Sequence, residues 1–142
     1  MRAPSALVLL ALLPGVLAPA CQSDSKKQLL ATEESQVALR SMQTRVFDTT
    51  DAQKTLRTVI ATLQDLGFVI DKADATLGSV SATKLEGYQL RMTVTVRPRG
   101  ETQQLVRASA QFADRAVEEP EPYQNFFVAL EKAMFLTAQQ VD

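Results

Sequence analysis

Residues 89–97 alternate without a break. Leu90, Met92, Val94 and Val96 are apolar, and Gln89, Arg91, Thr93, Thr95 and Arg97 between them are polar or charged. A period of two sends successive side chains to opposite faces, so the stretch reads as a half-buried strand with one dry side and one wet side. Pro98, Arg99 and Gly100 then supply turn chemistry, after which Val106, Ala108, Ala110 and Phe112 alternate with Leu105, Arg107, Ser109 and Gln111. So short a connection favours antiparallel pairing, and a sheet with one wet face needs its cover on the other.

Two helical patterns supply that cover. Thr50 and Gln53 have capping-box spacing, with Thr50 as the expected N-cap. Leu56, Val59, Ile60, Leu63 and Leu66 follow as a one-faced stripe, and Gly67 suits the left-handed position that ends a helix. Later, Pro120 and Pro122 punctuate an acidic run of Glu118, Glu119 and Glu121 and introduce a helix expected over residues 122–138. Proline and carboxylates suit a first turn, where the N–H groups are free and the dipole is positive. Its inner stripe is Tyr123, Phe126, Phe127, Leu130, Ala133 and Met134.

Residues 42–48 read as a short strand before the first of these helices. Phe68 to Asp71, a turn around residues 74–78, and Val80 and Ala82 alternating with Ser79, Ser81 and Thr83 read as a hairpin after it. The expected order is therefore β-α-β-β-β-β-α. It describes an α+β fold in which an antiparallel sheet of four to five strands carries two helices on one face.

The first residues concern location. Arg2 precedes a continuously apolar run from Ala6 to Leu13, which Pro14 and Gly15 interrupt, and this is the layout of a signal peptide. The run is shorter than the roughly 20 residues needed to span a bilayer. Leu17-Ala18-Pro19-Ala20-Cys21 places small residues ahead of the chain's single cysteine and resembles the lipobox of bacterial lipoproteins. That resemblance implies cleavage before Cys21, lipid on its thiol and acylation of the new amine. An ordinary secretory peptide cut after Ala20, leaving a free N-terminal cysteine, is the alternative. Gln22 in place of Asp resembles lipoproteins released to the outer membrane. The expected organisation is a signal peptide over 1–20, a lipidated cysteine and flexible tether over 21–40, and a periplasmic domain over 41–142. Several lipid chains make such an anchor effectively permanent, whereas one gives only marginal binding.

The order of elements resembles the helix-grip domains of the lipoprotein component of the outer-membrane protein assembly machine. In wording, MQTRVFD, LQDLGFVID and PYQNFFVALEKAMF look like small proteobacterial lipoproteins. The resemblance covers the region from Ser41 onward. It implies a fold and brings no catalytic residues with it.

The inventory of reactive side chains is short. There is no histidine, which removes the usual general base and the commonest metal ligand, and Cys21 is the only thiol. No glycine-rich phosphate loop is present. Asp48 with Asp51, and Asp71 with Asp74, lie at cap and turn positions, where carboxylates usually accept local hydrogen bonds. Glu118, Glu119 and Glu121 lack the glycine-containing, oxygen-rich loop of a calcium site. With 15 basic and 16 acidic side chains the charge is nearly balanced, which argues against nucleic acid as a partner. The expectation is a non-enzymatic protein without cofactor or metal.

Two surfaces are left to carry function. Arg91 and Arg97 on one strand and Arg107 on the next point to the wet face, where they suit an anionic partner such as a peptidoglycan carboxylate, a lipopolysaccharide phosphate or an acidic protein. Arginine and threonine are also ordinary on a solvated sheet. Val128 and Phe135 fall away from the inner stripe of the last helix and either pack on the preceding helix or meet a partner. The expected role is that of a membrane-anchored scaffold or accessory subunit of an envelope transport, efflux or assembly machine. The alternative is a carrier or sensor that holds a lipid, glycan or peptide.

Overall fold

The computed structural model describes residues 22–86 and 88–139. The signal segment and Cys21 lie outside the described residues. The chain divides between Glu33 and Glu34 into two units. Of the first unit, residues 22–33 are described, and they form the N-terminal part of helix α1, Gln22–Met42. A flexible tether was expected there. The segment contains neither glycine nor proline and is rich in Gln, Lys, Leu, Ala and Glu, so its propensity favours the helix. Leu29, Leu30 and Val37 on α1 are exposed.

The second unit is the α+β domain. Strand β1, Thr44–Phe47, is followed by helix α2, Ala52–Asp65. Strands β2 (Val69–Asp74), β3 (Ser79–Glu86), β4 (Tyr88–Arg99) and β5 (Gln103–Phe112) come next, then the two-residue β6, Arg115–Ala116, and helix α3, Glu121–Gln139. All pairings are antiparallel, in the order β1-β5-β4-β3-β2, with β6 beside β1 on the same edge of β5. Since β1 and β2 lie at opposite edges, α2 carries the chain across the sheet. It packs on β2, β3 and β4 and against α3, which lies over β5.

The expected stripes form the core. Leu56, Val59 and Leu63 of α2 are buried, with Ile60 and Leu66 packed beside them. Tyr123, Phe126, Phe127 and Leu130 of α3 are buried as well, and so are Val80, Ala82, Leu90, Met92, Val94, Val96, Val106, Ala108 and Ala110 on the inner face of the sheet. The α2 N-cap is Asp51 rather than Thr50: its carboxylate accepts the Lys54 N–H at 2.9 Å, and the helix starts one residue later than the capping-box spacing implied. At the other end the N–H of Gly67 reaches the Gln64 carbonyl at 3.0 Å and that of Phe68 reaches the Leu63 carbonyl at 2.9 Å. This is a Schellman closure, with Gly67 at φ +85°. Strand β1 begins at Thr44, two residues later than expected, because α1 runs through Met42.

Tyr123 ties α3 to the sheet. Its hydroxyl donates to the Val117 carbonyl at 2.6 Å and accepts the Ala110 N–H at 3.2 Å and the Gln43 side-chain amide at 3.3 Å. A buried ring thus keeps its polar end satisfied. On the rim of the same packing, the Arg45 guanidinium lies 5.0 Å over the Phe127 ring and 3.5 Å from the Glu131 carboxylate.

Candidate functional site

Because α2 and α3 both take the inner face, the alternate residues of each strand form the outer one. Register places Thr44, Arg107, Thr95 and Ser79 in one row across the sheet, Ser109, Thr93 and Ser81 in the next, and Gln111, Arg91 and Thr83 in a third. Arg97 opposes Leu105, and Arg99 opposes Gln103. Arg91, Arg97, Arg99 and Arg107 are all exposed. The result is a floor of hydroxyls studded with four guanidinium groups. Arg97 alone is held within the chain, by donating to the Leu77 carbonyl. Among the described residues, Arg91, Arg99 and Arg107 make no side-chain hydrogen bond or ion pair. Beside Arg91, Gln89 and Ala113 complete a dimple of about 50 Å³.

The carboxylates of this face stand on and beside the edge strands. Asp48 accepts the Gln103 amide at 2.7 Å, Asp71 accepts the Thr83 hydroxyl at 2.6 Å, and Asp74 accepts the Leu77 N–H at 2.9 Å. Asp51 caps α2, so each of the four candidate acids has a local hydrogen-bonding role. Among the described residues no cluster of three or more acidic, histidine or cysteine side chains is placed to hold a metal ion.

On α3, Val128 is 68% exposed and Phe135 is 64% exposed. Both face solvent, and the shallow groove between α2 and α3 is lined by Lys54, Arg57, Thr58, Ala61 and Ala133 instead. Thr55, Thr58 and Thr62 bury their hydroxyls by donating to the carbonyls one turn earlier. The two apolar side chains are one heptad apart and face solvent on the same side of the helix.

Two features went unread in the sequence. Leu85, 75% exposed, and Val69 form an apolar corner on the outer face next to Arg91. The signal was present, since Leu85 continues the outward phase of Ser79, Ser81 and Thr83. The second is a cleft of about 250 Å³ on the helix side, where β3 and β4 run past the helices. Leu66, Phe68, Leu90 and Pro122 give it an apolar lining, and Lys84, Glu86, Glu121 and Asn125 a polar one. Lys84 pairs with Glu86 at 3.3 Å and its ammonium lies 6.0 Å over the Phe68 ring. No sequence motif marks this cleft, which arises where helix ends meet an overhanging hairpin.

Among the described residues no helix is long and apolar enough to cross a membrane. The chain matches no family of known proteins, and no curated protein is similar to it.

Proposed function

We propose that the protein is a non-enzymatic envelope lipoprotein, held at the periplasmic side of the outer membrane by lipid on Cys21. Its small domain acts as a scaffold or accessory subunit of a transport, efflux or assembly machine. The observation that carries this reading is the one-sided sheet: both helices cover the inner face, and the outer face leaves unpaired arginines open to a partner. A guanidinium fork with no internal carboxylate is matched to an anionic group from outside. The exposed Val128 and Phe135 offer a second, apolar contact on the opposite side.

Co-purification of the acylated protein from gently solubilised envelopes tests this role, with Arg91→Glu and Phe135→Glu variants run beside it. A defined envelope protein is expected with the wild type and lost from at least one variant. Retention of the same proteins by all three chains would reject both surfaces as contacts.

The cleft beside Phe68 favours a second reading, a carrier or sensor of a small ligand. Its volume and its mixture of apolar lining with a few polar groups suit a small molecule. A small molecule that stays with the purified wild type and leaves on Leu90→Trp would favour that reading over the scaffold.

A further inference from the structure

We infer that the outer face of the sheet docks on an anionic phospholipid surface, with Arg91 and its dimple taking a headgroup phosphate. The inference rests on the proposed membrane anchor, which brings the domain within reach of lipid.

Charge distribution is the first argument. On their outward positions the central strands β4 and β5 carry Arg91, Arg97, Arg99 and Arg107 and no carboxylate, and Lys72 adds a fifth cation from β2. The nearby acids Asp48, Asp71 and Asp74 stand on or beside the edge strands β1 and β2, away from the β4 and β5 arginines, and each accepts a hydrogen bond from the chain. Glu118, Glu119 and Glu121, by contrast, are exposed on the approach to α3, and Glu131 lies along it. In a chain of nearly zero net charge, the outward positions of β4 and β5 are thus a local patch of positive charge. Such a face is attracted to an anionic bilayer while the acidic segments are repelled, and the attraction fades within a Debye length.

The apolar rim is the second argument, and it separates lipid from a glycan. Val69 and Leu85 stand exposed at the Arg91 corner, and Leu77 is exposed at the opposite end, where its carbonyl holds Arg97. Apolar side chains flanking arginines on a flat face suit the headgroup boundary, where cations meet phosphates and hydrocarbon enters the interface. A carbohydrate carboxylate would leave those leucines wet. The dimple of Gln89, Arg91 and Ala113 accepts only a small group, and the guanidinium on its wall matches phosphate oxygens two at a time.

The test uses the acylated protein in vesicles of phosphatidylcholine, with or without phosphatidylglycerol, all containing a trace of headgroup spin-labelled lipid. A fluorophore is placed on Gln111→Cys, on the outer face, or on Gln124→Cys, exposed on α3; lipid on Cys21 leaves the introduced thiol as the only free one. The expected result is quenching of the Gln111 probe in phosphatidylglycerol vesicles, its loss in phosphatidylcholine or high salt, and little quenching of the Gln124 probe. Arg91→Gln with Arg107→Gln should bring the quenching down to the phosphatidylcholine level. Equal quenching at both positions, quenching that ignores lipid charge, or quenching unchanged by the arginine pair would overturn the proposal. So would an acidic protein that occupies the same arginines while lipid quenching is absent. Flotation of the same samples reads the anchor separately: a chain that fails to float with phosphatidylcholine vesicles defeats the anchor, and charge-dependent quenching by added phosphatidylglycerol vesicles still decides the docking.

Discussion

Phe126→Ala is expected to lower the unfolding free energy of the domain by about 3–5 kcal/mol. Phe126 is completely buried on α3, and its ring meets that of Phe127 edge-on, with centroids 5.0 Å apart and planes at 64°. Truncation removes both the apolar transfer term and the edge-on contact. The hole forms between a helix and a sheet that the Tyr123 hydrogen bonds hold in place, so collapse around it is limited. Domains of this size have total stabilities of about 5–15 kcal/mol, so the variant would stand close to its folding threshold. Urea denaturation followed by far-ultraviolet circular dichroism measures the effect as a lower midpoint at unchanged slope. A loss below about 1 kcal/mol, far short of the usual cost of a buried phenylalanine, would mean that α3 is not packed on the sheet as described.

Gly78→Ala should be nearly as damaging, for a different reason. Gly78 ends the β2–β3 turn at φ +60°, its carbonyl accepts the Val96 N–H at 2.8 Å, and an added Cβ would lie 2.6 Å from the Val96 carbonyl oxygen. The neighbour is backbone of the central strand β4 and cannot swing aside. Gly100 is the internal control, with φ +62° and nothing within 4 Å of its added Cβ. Gly100→Ala should cost only the left-handed penalty of about 1–2 kcal/mol. Gly78→Ala should add a displacement of packed structure, about 1–3 kcal/mol more. Equal losses for the two variants in paired thermal melts would contradict the close approach of the turn to β4.

The parts of the fold that were legible are those where one period repeats long enough to outvote local accidents. The α2 stripe from Leu56 to Leu66 and the alternation in β4 and β5 each supply several residues in phase, and every inward position in them is buried or packed against the core. Single-residue features were less legible. Thr50 and Asp51 are both good caps, and the choice between them rests on backbone geometry that spacing does not carry. Residues 21–40 read as a tether because Gln22, Ser23, Asp24, Ser25, Lys26 and Lys27 open it with solvated composition, yet helix propensity carries α1 from Gln22 through Met42. Gln104 occupies an inward position of β5 and is buried; its amide nitrogen reaches the Thr50 carbonyl at 3.4 Å, and its oxygen has no hydrogen-bond partner among the described residues.

The candidate surfaces divide along the same line. Arg91, Arg97 and Arg107 were legible because a strand's period fixes the face of each residue, and that face then follows from where the core lies. Whether Val128 and Phe135 pack or protrude depends on how α3 is placed against α2, which the periodicity of one helix does not carry. The cleft lined by Phe68 and Leu90 depends on strand overhang, which no local pattern encodes.

The intact mass of the protein extracted from membranes tests the central claim most directly. A mature chain that begins at Cys21, with the mass of a diacylglyceryl group on sulfur and an acyl group on nitrogen, is the predicted result, and Cys21→Ala should abolish the modification and release the domain. A mature chain with an unmodified thiol, or one cut elsewhere and recovered in the soluble periplasm, would contradict the account.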